Sequence, residues 1–227
     1  MHSEFDISLK NVKLFVPSYS IMTSTAPVSP DDIIQKEILQ AALRLYKKFG
    51  PDKVTMDDVA NASGRSRTSL YYYYKNRDEI FQAVMETVAN QVADEIRLAV
   101  TAAPTLRDKI QAFCTAKVKT SEDWKPVFNA MWASLDKEEK SKHARYLDAL
   151  HKKLIHLESI ILNEILSAAT RQKSIRPLNP GDQDMLVFII ATGIRGIRRE
   201  VFDQKDPHDL VAAIRLLTDM VIKWLER

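Results

Sequence analysis

Glycine is scarce in this chain of 227 residues and cysteine almost absent: five glycines occur, and one cysteine, Cys114. A lone cysteine excludes an intramolecular disulfide and a thiolate zinc cluster, and it fits a reducing, cytoplasmic compartment. Gly50, Gly64, Gly181, Gly193 and Gly196 are too few for the turns of a many-stranded protein. No GxxxxGK loop, GxSxG elbow or HExxH run occurs, which disfavours an enzyme and leaves no implied cofactor. Long apolar runs are missing too. The longest, Met185 to Ala191, falls far short of the ~20 residues that cross a bilayer, so no membrane partner is expected. A dominant charge is also lacking, with a net charge of only +3.

What is present is unevenly placed. Between Arg44 and Arg77 stand Arg44, Lys47, Lys48, Lys53, Arg65, Arg67, Lys75 and Arg77 against Asp52, Asp57 and Asp58. That local excess is larger than the charge of the whole chain and is a footprint for a polyanion, although a solvated helix face is the commoner meaning of any charge cluster alone.

Residues 1–29 show no sustained period and read as a flexible tail, and Met22 competes with Met1 as the start of translation. Order begins at Ser29-Pro30-Asp31-Asp32, which combines a capping hydroxyl, a proline at the helix start and two acids at the positive end of the dipole. Ile34, Ile38, Ala41, Ala42, Leu45 and Phe49 then recur at helical spacing until Gly50-Pro51. Thr55 and Asp58 form a capping-box pattern for a short second helix with Val59 and Ala62 inward. It ends at Ser63-Gly64, Ser66 caps a third helix from Arg67 to about Tyr74, and a long helix runs from Arg77 to about Ala103, closed by Pro104. Further helices are expected near 105–120, 124–136, 141–171, 181–203 and 207–226, broken at Pro104, Pro126, the stretch from Arg176 to Gly181, and Pro207. The fold class is all-α.

Two short helices around a glycine turn make a helix-turn-helix, whose second helix lies in a major groove and offers its N-terminal side chains to base edges. Leu70 and Tyr74 share one face, which leaves Arg67, Thr68, Tyr71 and Tyr72 pointing away from the core. Arg67 suits guanine or phosphate, Thr68 and Ser69 either base or phosphate, and the tyrosine hydroxyls a phosphate oxygen. Thr55, Ser66, Lys75 and Arg77 complete the candidate DNA-binding set along the sugar-phosphate rails, with helix-opening amides beside them.

The run from Thr55 to Ile80 resembles the DNA-binding signature of the TetR family of bacterial transcription regulators. The resemblance covers about residues 31–85. It rests on Thr55, the Ala62-Ser63-Gly64 turn, Ser66, Leu70-Tyr71-Tyr72 and the Lys75-to-Glu79 entry into the long helix. Arg65 departs from an apolar family position and Thr68 from a small one, so the mode of binding carries over without an operator sequence. The resemblance implies a helix-turn-helix domain at 30–76 and a helical-bundle domain at 77–227. It also implies a homodimer formed by the last two helices, a pseudo-palindromic operator of double-stranded DNA, and a small-molecule effector that releases it. A repressor is the reading of choice.

The second half adds its own signals. The apolar stretch around Met185 to Arg199, with Gly193 and Gly196 three apart, suits a helix that meets both core and partner; Ile197, Leu217 and Val221 join it as dimer candidates. Packing within one subunit explains the glycines almost as well. Effector candidates are Phe113, Lys117, Trp124, Phe128, Met131, Trp132, Tyr146, Phe188 and Thr192, though large aromatics at helical spacing are more often core. Lys117, on the apolar stripe of its helix, meets either an acidic ligand or, more commonly, the core with its stem and water with its charge. Thr192 more often bonds its own helix, and Cys114 reads as a small buried hydrophobe. His143, His151 and His156 are not spaced as a helical metal pair, and no metal is expected. The alternative functions are a helical ligand carrier or enzyme with a vestigial helix-turn-helix, and a protein-interaction adaptor.

Overall fold

The computed structural model describes residues 29–134 and 137–226, apart from the side chains of 130–134, 137–145 and 147. The tail reading and the choice between Met1 and Met22 fall outside the described residues. Among those residues every regular element is helical. Helix α1 spans Pro30–Phe49, α2 Met56–Ala62, α3 Arg67–Tyr73, α4 Arg77–Ala102, α5 Leu106–Ser134, α6 Lys137–Arg171, α7 Pro180–Arg198 and α8 Leu210–Leu225. A 3₁₀ turn at Pro51–Lys53 joins α1 to α2, and a π turn at Arg199–Asp203 ends α7.

The starts of the first four helices are fixed locally. Ser29 and Asp32 close a capping box on α1, as Thr55 and Asp58 do on α2. Ser66 caps α3 by accepting from the Ser69 N–H at 3.1 Å, and Asn76 caps α4 by accepting from Glu79 N–H at 2.9 Å. The turn between α2 and α3 passes through Gly64 at φ 67°, a left-handed conformation that costs a side chain strain and glycine nothing. On α2 the buried residues are Met56, Val59 and Ala60, and Ala62 is exposed, a correction to the expected inward pair.

Two apolar cores run along the molecule. The first joins α1, α2 and α3 to the opening half of α4 through Ile38, Tyr46, Val59, Leu70, Tyr74, Phe81 and Val84. The second joins the closing half of α4 to α5, α6, α7 and α8 around Ile96, Phe113, Leu162, Ile190 and Ile214. Helix α4 therefore belongs to both. Trp124, Leu154 and Leu157 lie between the two cores and pack on each.

Pro126 does not break the chain into two helices, as its sequence position suggested; it lies inside the continuous α5. Proline in a helix interior loses one backbone bond and costs about 3 kcal/mol or more. Trp124, Val127 and Phe128, on both sides of it, pack against the first core, and that burial offsets the loss. Pro207 also precedes its helix by more than expected, because Asp209 caps α8 by accepting from the Val211 N–H at 2.8 Å. No helix of the described residues is long and apolar enough to cross a membrane.

Candidate nucleic-acid interface

Helix α3 is anchored by one face and open on the other. Leu70 is fully buried and Tyr74 nearly so, whereas Arg67, Thr68, Tyr71 and Tyr72 are exposed, Tyr72 by 78%. Tyr73 is held against α1, its hydroxyl donating to Asp31 at 2.7 Å, and that bond raises its pKa above the ordinary tyrosine value. Its ring meets Tyr72 edge-on at 4.9 Å between centroids. Two contacts from one side thus fix a short helix that propensity alone would not hold.

The structure brings Thr55, Ser66, Arg67, Thr68, Tyr71, Tyr72, Lys75 and Arg77 to the surface at and around the turn and α3, with Ser69 half-buried. Their roles within the protein differ. Thr55 and Ser66 spend their oxygens as helix caps. Arg77 donates from Nη2 to the Pro51 carbonyl at 3.0 Å, which ties the start of α4 to the turn after α1. Lys75 uses its backbone N–H to bond Glu79 at 2.8 Å and leaves its side chain at the surface. Arg65, at the position where an apolar residue was expected, is half-buried and ion-paired with Glu37 of α1. Arg67 engages Asp57 of α2 and lies 5.7 Å above the Tyr71 ring. The pairing of Glu37, Asp31 and Asp57 with these side chains was not read from sequence, since helix-to-helix contacts leave no spacing signal.

Of the effector candidates, Phe113 is fully buried and Trp124, Phe128 and Tyr146 are partly buried against the cores; the side chains of Met131 and Trp132 lie outside the described ones. Lys117 adopts neither expected state. It is 6% exposed and its ammonium is ion-paired with buried Glu158 of α6, with Arg195 Nη1 of α7 3.6 Å from the other oxygen of the same carboxylate. Phe188 and Thr192 do not join this interior: both face outward from α7, Phe188 at 60% exposure, and Thr192 accepts from Arg195 at 3.1 Å.

The outer face of α7 and α8 is apolar, with Met185, Phe188, Ile189, Val211, Leu216 and Met220 all exposed. Of the dimer candidates, Val221 points into the core and Gly193 faces Leu217 of the same chain, where an added Cβ would lie 3.6 Å from the leucine side chain. Gly196 has open space and Ile197 is half-buried. Among the described residues no group of three or more His, Cys, Asp and Glu is placed to hold a metal.

Residues 38–84, which run from within α1 through α2 and α3 into the start of α4, match the family model described as bacterial regulatory proteins, tetR family. The negative transcriptional regulator IcaR of the biofilm operon in Staphylococcus epidermidis is 31% identical over 61 residues, 27% of this chain and 33% of the relative. The chain spans 26%, 66% and 33% of the length of three curated relatives that it matches. Solved structures extend the likeness over the fold. A TetR transcription regulator from Haloarcula marismortui is 13% identical with a TM-score of 0.58, covering 86% of this chain and 99% of that one. A SmeT–triclosan complex is 16% identical with a TM-score of 0.55, covering 86% and 92%. Residues 38–84 thus carry the signature of the bacterial regulatory proteins of the tetR family, set around α2 and α3 inside an all-helical frame.

Proposed function

We propose that the protein is a transcription regulator that binds a pseudo-palindromic operator as a homodimer, represses, and lets go when a small molecule occupies its C-terminal bundle. The observation that carries this reading is the orientation of α3: Leu70 and Tyr74 face the core, while Arg67, Thr68, Tyr71 and Tyr72 stand exposed, with Lys75 and Arg77 exposed just beyond the helix. In this reading Arg67, Thr68 and Ser69 meet base edges, whereas Thr55, Ser66, Tyr71, Tyr72, Lys75 and Arg77 meet phosphates. Residues 30–76 bind DNA and 77–227 sense and dimerise.

The outward apolar residues of α7 and α8 support a partner copy on that face, since large apolar side chains gathered on one exposed face mark an interaction site. The membership of α4 in both cores supports it as the lever between bundle and DNA. An effector releases DNA only by binding the mis-spaced conformation more tightly. IcaR, described as a negative regulator, favours repression, and the SmeT structure, solved as a complex with triclosan, favours a small-molecule effector.

Selection of genomic fragments by the full chain and by Arg67→Ala, sequenced at physiological salt, tests the reading. Enrichment of a pseudo-palindrome by the native chain that Arg67→Ala loses is the expected result. Equal enrichment of unrelated fragments by both would reject sequence-specific regulation.

A further inference from the structure

The two acids that open α2 do different work. Asp58 completes the capping box, accepting the Thr55 N–H at 2.8 Å and the Thr55 hydroxyl at 2.7 Å. Asp57 takes no part in that box. It is exposed, and it places a negative charge beside the helix that, in the reading above, enters a groove between two rows of phosphates. An acid there weakens attraction to every duplex, so its presence calls for a compensating role.

Its carboxylate is turned toward α3. Arg67 Nη1 donates to Asp57 Oδ2 at 3.2 Å, and Arg67 Nε stands 3.2 Å from Oδ1. The guanidinium lies over the Tyr71 ring one turn further along α3. Arg67 is the first residue of that helix, and its side chain, held between Asp57 and Tyr71, remains 63% exposed. An exposed ion pair of this kind adds little to stability. What it changes is the freedom of a long side chain, which otherwise samples many rotamers and bonds equally well to a phosphate or to any acceptor in the groove.

The edge not engaged by Asp57 carries the Nη2 protons and the second proton of Nη1. Two parallel donors of that geometry match O6 and N7 of a guanine in the major groove, and no other base offers that pair of acceptors. A carboxylate behind the guanidinium also repels a phosphate that would otherwise capture it. We propose that Asp57 is a specificity-determining residue, which holds Arg67 in position to read one guanine in each half-site and gives up general DNA affinity in exchange. The proposal rests on the DNA-binding reading above and acts through Arg67, so Asp57 is a positioning residue.

The test is selection from a random-sequence duplex library by the full chain, by Asp57→Asn, by Asp57→Ala and by Arg67→Ala, followed by titration of the best duplex, the same duplex changed at its most selected guanine, and an unrelated duplex. The native chain is expected to prefer the guanine, and both Asp57 variants to lose about tenfold of that preference, the lower range of a bidentate base contact. Their affinity for the unrelated duplex rises, because a negative charge has left the phosphate face. In an Arg67→Ala background, Asp57→Asn changes nothing at that base. An equal gain on all three duplexes with the guanine preference intact would overturn the proposal and leave Asp57 a mere charge. Absence of any motif with the native chain would instead overturn the DNA-binding reading itself. Asp57 is exposed and outside the capping box, so circular dichroism should show both variants folded.

Discussion

Lys117 exposes the limit of reading one helix at a time. Its register after Ile110 and Phe113 placed it on the apolar stripe of α5, and the structure keeps it there, but its charge reaches neither water nor a ligand. Burial pushes its pKa below the ordinary lysine range, against the pull of Glu158, which sits 41 residues later and gives no sign in the local sequence. Lys117→Met would strand the Glu158 carboxylate with only Arg195 near it, and we expect a loss of about 3 kcal/mol in urea unfolding, the lower end of what removing one partner of a buried pair costs. Lys117→Met combined with Glu158→Leu should recover most of that loss. If the double variant is as unstable as the sum of the single ones, the two residues are not energetically coupled. Cys114 was legible as a buried hydrophobe: burial pushes its thiol up to about 12. At pH 8 it should resist iodoacetamide in the native protein and react once the chain is unfolded in urea; labelling of the native protein at the rate of a free thiol would contradict that placement.

At the scale of elements, what is local was legible and what is tertiary was not. The caps at Ser29, Thr55 and Ser66 and the turn at Gly64 follow from side chains within three residues of the backbone groups they serve, so the helix-turn-helix could be drawn from sequence with nearly correct bounds. Pro126 misled because its local penalty is visible and the packing of Trp124 and Phe128 that offsets it is not. The Thr55–Asp58 box gives α2 a pH dependence whose sign follows from its bonds. The Thr55 backbone N–H, and then its hydroxyl, hold the Asp58 carboxyl below its ordinary range. A carboxylate with a depressed folded pKa stabilises the fold above its unfolded pKa, near pH 4, and that contribution is lost as pH falls through the folded value. Thermal unfolding of the native chain between pH 6 and pH 3 should therefore show a declining midpoint below about pH 4. Asp58→Asn should start lower at pH 6 and decline less steeply. Parallel curves for the two proteins would show that the cap does not set the acid limb.

The whole molecule poses the question of which face of α7 looks inward, and here the sequence was ambiguous for a physical reason. Met185 to Ala191 is apolar at every position, so it carries no stripe to mark a face. Val221 and Gly193, chosen for a partner, prove to be buried or packed on their own chain, and Phe188, chosen for a ligand, stands outside. In the proposed dimer the outward residues Phe188, Ile189, Leu216 and Met220 carry the association. Phe188→Arg with Met220→Arg replaces two exposed apolar side chains by like charges that meet across a twofold axis, at no cost to either core. We expect sedimentation to show a dimer become a monomer with unchanged helical circular dichroism. Affinity for a single half-site should be unchanged, because α3 is untouched. Affinity for the full pseudo-palindrome should fall by about 100-fold or more, because the second half-site is no longer bound at the high effective concentration that a linked partner provides. Val221→Arg, by contrast, places a charge inside the second core and should lower the unfolding midpoint. A double-arginine variant that stays dimeric would move the interface elsewhere, and one that turns monomeric yet keeps full affinity for the palindrome would separate dimerisation from operator binding.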